Sequence, residues 1–230
     1  MSFQLVGPYV ETFAQRNPGS TAFMERGSDN RIQRVFVCPS FANDVVMCVR
    51  PVISIDGAHM RSEWKETLYL ATVKSAGDDL YPVAFAITVD GEDFQGWLWF
   101  LQHQKASAPN LIAEHLRREC SYKLFTFMSD RCKGLTLRSA MFSLPTTTVT
   151  RKWQAIGVPC VHGMAYFRHQ MKWRLEDVLD QAVDEYHKYR TQRELYRRNF
   201  VPVWRHLLEP DMMTLPPDAA ARRMPVDRKR

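Results

Sequence analysis

Two aspartates, Asp56 and Asp130, close short apolar runs, RPVISID and KLFTFMSD. Each run reads as a buried strand that stops at an acid. If the two strands are neighbours in one sheet, both carboxylates emerge at the same rim. Paired carboxylates there could hold Mg²⁺, a hard ion that prefers oxygen ligands. Two such ions can activate a water and stabilise the leaving oxygen of a phosphodiester. Aspartate after a strand is also a common turn residue, and spacing alone leaves both readings open. A second pair, Cys160 and His162 in VPCVHGM, has the Cys-x-His spacing of half a zinc site, and a structural zinc takes about four ligands. The stretch just upstream offers Thr148, Val149 and Thr150. A threonine hydroxyl stays protonated near neutral pH and is a poor zinc ligand, whereas a thiolate is a strong one. The expectation is no stable zinc in a monomer, with Cys160 a small buried residue and His162 its partly exposed neighbour. The alternative is a site completed by a distant residue or by the second chain of a homodimer.

The elements that must position these residues follow from the pattern. Residues 1–34 are mixed, with turn signals at NPGS (17–20) and RGSDN (26–30). VFVCPSFA reads as a strand, as do RPVISID, TLYLATVK (67–74) and LYPVAFAITV (80–89). The last three make an antiparallel meander with short links. The period then changes: Phe94, Trp97, Leu98 and Leu101 fall on one face of a helix, with Asp90 or Asp93 as its cap. NLIAEHLRREC (110–120) is a second helical stretch, KLFTFMSD (123–130) a strand, and GLTLRSAMF (134–142) helical. The order β-β-β-α-(α)-β-α predicts an α/β fold with a mixed sheet. Helix resumes near Met164 and from Leu175, where Leu175, Val178, Leu179, Ala182, Tyr186 and Tyr189 share a face. From Pro202 onward, prolines and charges predict little fixed structure.

Composition narrows the function classes. Five scattered cysteines argue against a disulfide framework and for a reducing compartment. No apolar run approaches the roughly 20 residues of a membrane span, and the start lacks the layout of a secretory signal. The net charge is +6. Residues 151–230 carry 16 Lys and Arg against 10 Asp and Glu, so the excess lies there, mostly in KYRTQRELYRR and RRMPVDRKR. A basic tail on a neutral domain fits DNA as partner; a solvated helix face followed by a disordered end fits as well.

The stretch RPVISIDGAHMRSEWKETLYLATVKSAGDDLYPVAFAITVDGEDFQGWLWFLQ resembles the core of the Mutator-like element transposases. YVETFAQRNPGS upstream, and FTFMSDRCKGL and AMFSLP downstream, extend the likeness from about Phe3 to Pro145. The resemblance implies an RNase H-like fold and a Mg²⁺-dependent triad of two aspartates and a glutamate that cuts and joins DNA, with Asp56 and Asp130 as its aspartates. Glu92 and the block Trp97-Leu98-Trp99-Phe100 match an acidic residue and an aromatic helix after the third strand, and the block reads as packing. RKWQAIGVPCVHGMAYFRHQMKW is similar to the SWIM zinc finger that follows this catalytic domain. In register, Thr148 and Thr150 stand where its first two cysteines belong, and Cys160 and His162 match the second pair. The long stretch carrying the third acid is missing, because AMFSLP runs almost directly into TTTVTRKWQ. Glu176, Glu185 and Glu194 lie beyond that junction and match nothing in the triad. The zinc-type DNA-binding region that precedes complete catalytic domains is also expected to be absent.

The resulting expectation is an N-terminal flank (1–34), a truncated RNase H-like domain (35–145), a partial SWIM finger (146–172), a helical segment (173–201) and a basic tail (202–230). Such a chain would be a nuclear, transposable-element-derived protein without strand-transfer activity. The alternative is a domesticated, non-catalytic DNA-binding or regulatory protein.

Overall fold

Thr67–Lys74 alternates buried and half-exposed residues along its whole length, the period-two signature of a strand inside a sheet. A computed structural model describes residues 3–45, 48–62, 64, 66–112, 126–128, 157–158, 164, 167–169, 171–197 and 201–216. Its elements are α1 (Val6–Arg16), β1 (Thr21–Arg26), β2 (Ile32–Cys38), β3 (Val52–His59), β4 (Thr67–Lys74), β5 (Leu80–Thr88), α2 (Phe94–Ser107), α3 (Pro109–Ile112), β6 (Thr126–Met128), α4 (Leu175–Gln181) and α5 (Tyr189–Arg197). The strands form one mixed sheet in the order β1-β2-β5-β4-β3-β6. Neighbours are antiparallel from β1 to β3, and β6 runs parallel to β3 at the far side. Pro82, which has no N–H for a ladder bond, sits where the register between β4 and β5 shifts, a place that tolerates it.

The sheet carries apolar residues on both faces. One face presents Phe36, Ile53, Ile55, Tyr69, Ala71 and Val73 to Trp97, Trp99, Phe100 and Leu101 of α2. Asp93 starts α2, its carboxylate accepting the Gly96 N–H at 2.8 Å. The other face presents Val35, Val37 and Phe85 to Val10 and Phe13 of α1. The predicted meander, its turn at 76–79 and the aromatic helix are all present, and the aromatic block is core. Of the predicted helix stripe, Trp97 and Leu101 are buried, with Trp99, Phe100 and Gln104 added; Phe94 and Leu98 are only partly buried.

Three expectations need revision. Residues 1–34 hold α1 and β1, both unforeseen. The stripe predicted from Leu175 to Tyr189 is not one helix face. α4 stops at Gln181, Tyr186 is buried in a 3-10 turn (Glu185–His187), and Leu175, Leu179 and Tyr189 are exposed. Lys188 fixes the break by holding the Asp180 carbonyl at 2.8 Å and the Glu185 carboxylate at 2.6 Å. Residues 201–216, expected to lack fixed structure, lie against α1 and the β1–β2 turn, with Thr214 buried. α5 also joins the main core: Leu195 is buried there, Gln192 Nε2 donates to the Cys48 carbonyl at 2.9 Å, and the Tyr196 hydroxyl donates to Asp79 at 2.6 Å.

His103 lies among rings, 4.9 Å from Phe23 and from Trp99 and 5.6 Å from Phe36. Burial pushes its pKa below 6.5; Glu25 opposes that shift and Arg34 adds to it. The fold therefore disfavours the imidazolium. Its contribution to stability is complete above pH 6.5, the unfolded value, and is lost as pH falls through the lower folded value. Urea titrations between pH 7.5 and 5 are expected to show stability falling with acid, with a shallower slope in His103→Gln.

Candidate functional site

Asp56 lies inside β3, not at its end. The ladder with β4 continues past Asp56↔Leu70 through Gly57↔Tyr69, Ala58↔Leu68 and His59↔Thr67. The Asp-Gly pair is therefore not a turn. Because side chains alternate along a strand, Asp56 projects away from the face that Ile53 and Ile55 bury against α2, and it is exposed. Gly57 points the other way, towards the start of α2. A Cβ there would stand 2.7 Å from the Glu92 carboxyl carbon, so the missing side chain leaves room for Glu92.

The three acids before and at the start of α2 do different work. Asp90 pairs with Arg34 at 2.7 Å, and Asp93 caps the helix. Glu92 Oε1 is buried with no hydrogen-bond partner among the described residues. Tyr69 crosses beneath them, its hydroxyl donating to the Gly91 carbonyl at 3.1 Å. Burial is the main cause that raises the Tyr69 pKa, followed by the charges of Asp93, Glu92 and Asp90. Glu92 approaches the face of β3 opposite to the one from which Asp56 projects. The structure does not join these two acids into one ligand set.

The strand predicted to carry the second aspartate is present as β6. Its register against β3 is Val52↔Thr126, Ile53↔Phe127 and Ser54↔Met128, so the two predicted acid-bearing strands are adjacent and parallel. Asp130, Cys160 and His162 lie outside the described residues, as do Thr148 and Thr150. Among the described residues, no group of three or more His, Cys, Asp or Glu side chains could hold a metal ion. Asp56 alone supplies a single hard oxygen donor, short of the ligand set Mg²⁺ requires. Sequence reasoning located Asp56 but missed the Gly57–Glu92 contact; its only signal was the small residue next to an aspartate in a strand. No helix among the described residues is long and apolar enough to cross a membrane.

No protein-family model, curated protein or solved structure matches the chain.

Proposed function

We propose that the chain derives from a Mutator-like element transposase, that its β3–β6 body is RNase H-like, and that DNA strand cleavage and transfer have been lost. The observation that supports this reading is the parallel pairing of β3 with β6. It sets the strand bearing Asp56 beside the strand whose sequence leads to Asp130. Two carboxylates would hold Mg²⁺ weakly, and two-metal chemistry needs a fuller shell. The third acid that the resemblance implies has no counterpart, and the threonines in place of two cysteines leave the SWIM remnant short of a zinc shell.

The reading favours retained DNA binding in the nucleus, carried by the basic C-terminal region. A domesticated regulatory protein is the second reading, and the confinement of the charge excess to residues 151–230 favours it over a chain with no selected role. The test uses the full chain with supercoiled DNA and Mg²⁺. No nicking above buffer is expected, and Asp56→Asn should change nothing. Nicking that disappears in Asp56→Asn would overturn the loss of activity. In the same preparation, salt-sensitive DNA retardation is expected. Deleting residues 217–230 removes Arg222, Arg223, Arg228, Lys229 and Arg230, and should flatten the slope of log affinity against log salt by about 4 if all five contact phosphate. A deletion from residue 188 would be a poor test, because Leu195 belongs to the core.

A further inference from the structure

We propose that the layer built from α1 and the β1–β2 hairpin is a groove for an extended peptide. Residues 201–216 are its occupant in cis, a strap that the same peptide can displace in trans. The strap follows α1 from its C-terminal end to its N-terminal end and then reaches the β1–β2 turn. At its start, the Asn17 carboxamide, on a residue only 7% exposed, engages one residue's backbone twice. Asn17 Nδ2 donates to the Val201 carbonyl at 3.0 Å, and Oδ1 accepts the Val201 N–H. A carboxamide used this way reads main chain through its one acceptor and its donors. Val203 then packs on the apolar cluster of α1.

Further along, the Asp211 N–H donates to the Gln4 carbonyl at 2.8 Å, while the Asp211 carboxylate meets Arg26 at 2.6 Å. At the far end, Leu215 forms a parallel bridge with Arg31. Its N–H donates to the Asn30 carbonyl and its carbonyl accepts the Ile32 N–H, each at 3.2 Å. The Asn30 side chain donates to the Met213 carbonyl, and Arg31 to the Pro216 carbonyl at 3.0 Å. Main-chain hydrogen bonds supplemented by a few side-chain anchors are how added-strand peptide recognition works.

The strap's other apolar side chains explain why it is separable. Trp204 is 59% exposed, Met212 71% and Met213 73%. A segment held by backbone bonds with little apolar burial opens at low free-energy cost. A peptide in trans must compete with a tethered copy whose effective concentration is on the order of millimolar.

The test uses the full chain and a labelled synthetic peptide of residues 201–216. Asp211→Asn and Leu215→Pro in the chain each weaken the tethered strap while leaving the groove intact. Fluorescence anisotropy should show tighter peptide uptake by either variant than by the natural chain, by about two- to fivefold, the scale of a partly exposed ion pair or one backbone hydrogen bond. A peptide carrying Asp211→Asn should bind the Leu215→Pro chain more weakly, since it cannot form the charge pair with Arg26. Equal uptake by all chains, or uptake indifferent to the Asp211→Asn change in the peptide, would overturn the proposal. Global unfolding of both strap variants would do the same, since the strap would then be core.

Discussion

Trp97→Ala is expected to destabilise the protein by about 3–5 kcal/mol, the usual cost of emptying a buried tryptophan site. That is a large part of the roughly 5–15 kcal/mol that holds a domain together. Trp97 is fully buried, with Tyr69 edge-on at 4.6 Å and Phe100 at 6.1 Å. Little can collapse into the space, because Tyr69 is fixed at both ends. Its backbone is inside the β3–β4–β5 ladder, and its hydroxyl holds the Gly91 carbonyl. The ring also occupies the room left by Gly96, where a Cβ would stand 2.2 Å from the tyrosine oxygen. Trp97→Phe should cost less, because an aromatic ring still fills most of the site and the cavity left is smaller. Phenylalanine keeps most of the ring contact and removes an indole N–H that is buried without a partner among the described residues. Urea melts of the two variants against the natural chain check this. Equal losses in both would mean that the site tolerates no smaller ring, and would overturn this prediction. Tyr69 pairs in register with Gly57, next to Asp56, so the loss at Trp97 reaches the candidate site.

What the sequence made legible follows from which signals are local. β4 occupies residues 67–74 as read from its β-forming residues, and of the two candidate caps, Asp90 and Asp93, it is Asp93 that caps α2. The turn signals at 17–20 and 26–30 hold Gly19 and Asn30 at positive φ. α1 went unread in a stretch taken as mixed; its Gly7 and Pro8 lie in the first helical turn, where proline is tolerated. Asp56-Gly57 read as a strand-ending turn because that dipeptide usually makes one. Here the glycine serves a contact with Glu92, distant in sequence, and the strand runs on. The C-terminal strap was missed for the same kind of reason. Its partners are backbone groups of Gln4, Asn30 and Ile32 and the side chains of Asn17, Arg26, Asn30 and Arg31, all distant in sequence, and such pairing leaves no local pattern to read. For the candidate site, Asp56 could be named from sequence, but the adjacency of its strand to β6 depends on a sheet order that no local pattern encodes.

Leu195→Ala is expected to cost about 2–5 kcal/mol, and the loss should appear in the sheet rather than in α5 alone. α5 is strongly charged, and Leu195 is its one buried residue, seated in the same cluster as Ile53, Tyr69 and Trp97. A nine-residue helix of that composition has too little propensity to persist unaided. It forms because the body offers Leu195 a place, with the Gln192–Cys48 and Tyr196–Asp79 hydrogen bonds on either side. Removing the leucine therefore leaves a cavity in the body itself. Hydrogen exchange under mild denaturant should show Thr67–Lys74 losing protection together with Tyr189–Arg197. An appendage that melted alone would leave β4 fully protected and sink the prediction. Leu179→Ala, at a position 54% exposed, serves as the control and should stay within about 0.5 kcal/mol of the natural chain. A coupled loss would mean that Arg190, Arg193 and Arg197 are carried by a helix fixed to the body. Under the DNA-binding reading proposed above, DNA retardation would then weaken in Leu195→Ala through lost positioning, with every charge still present.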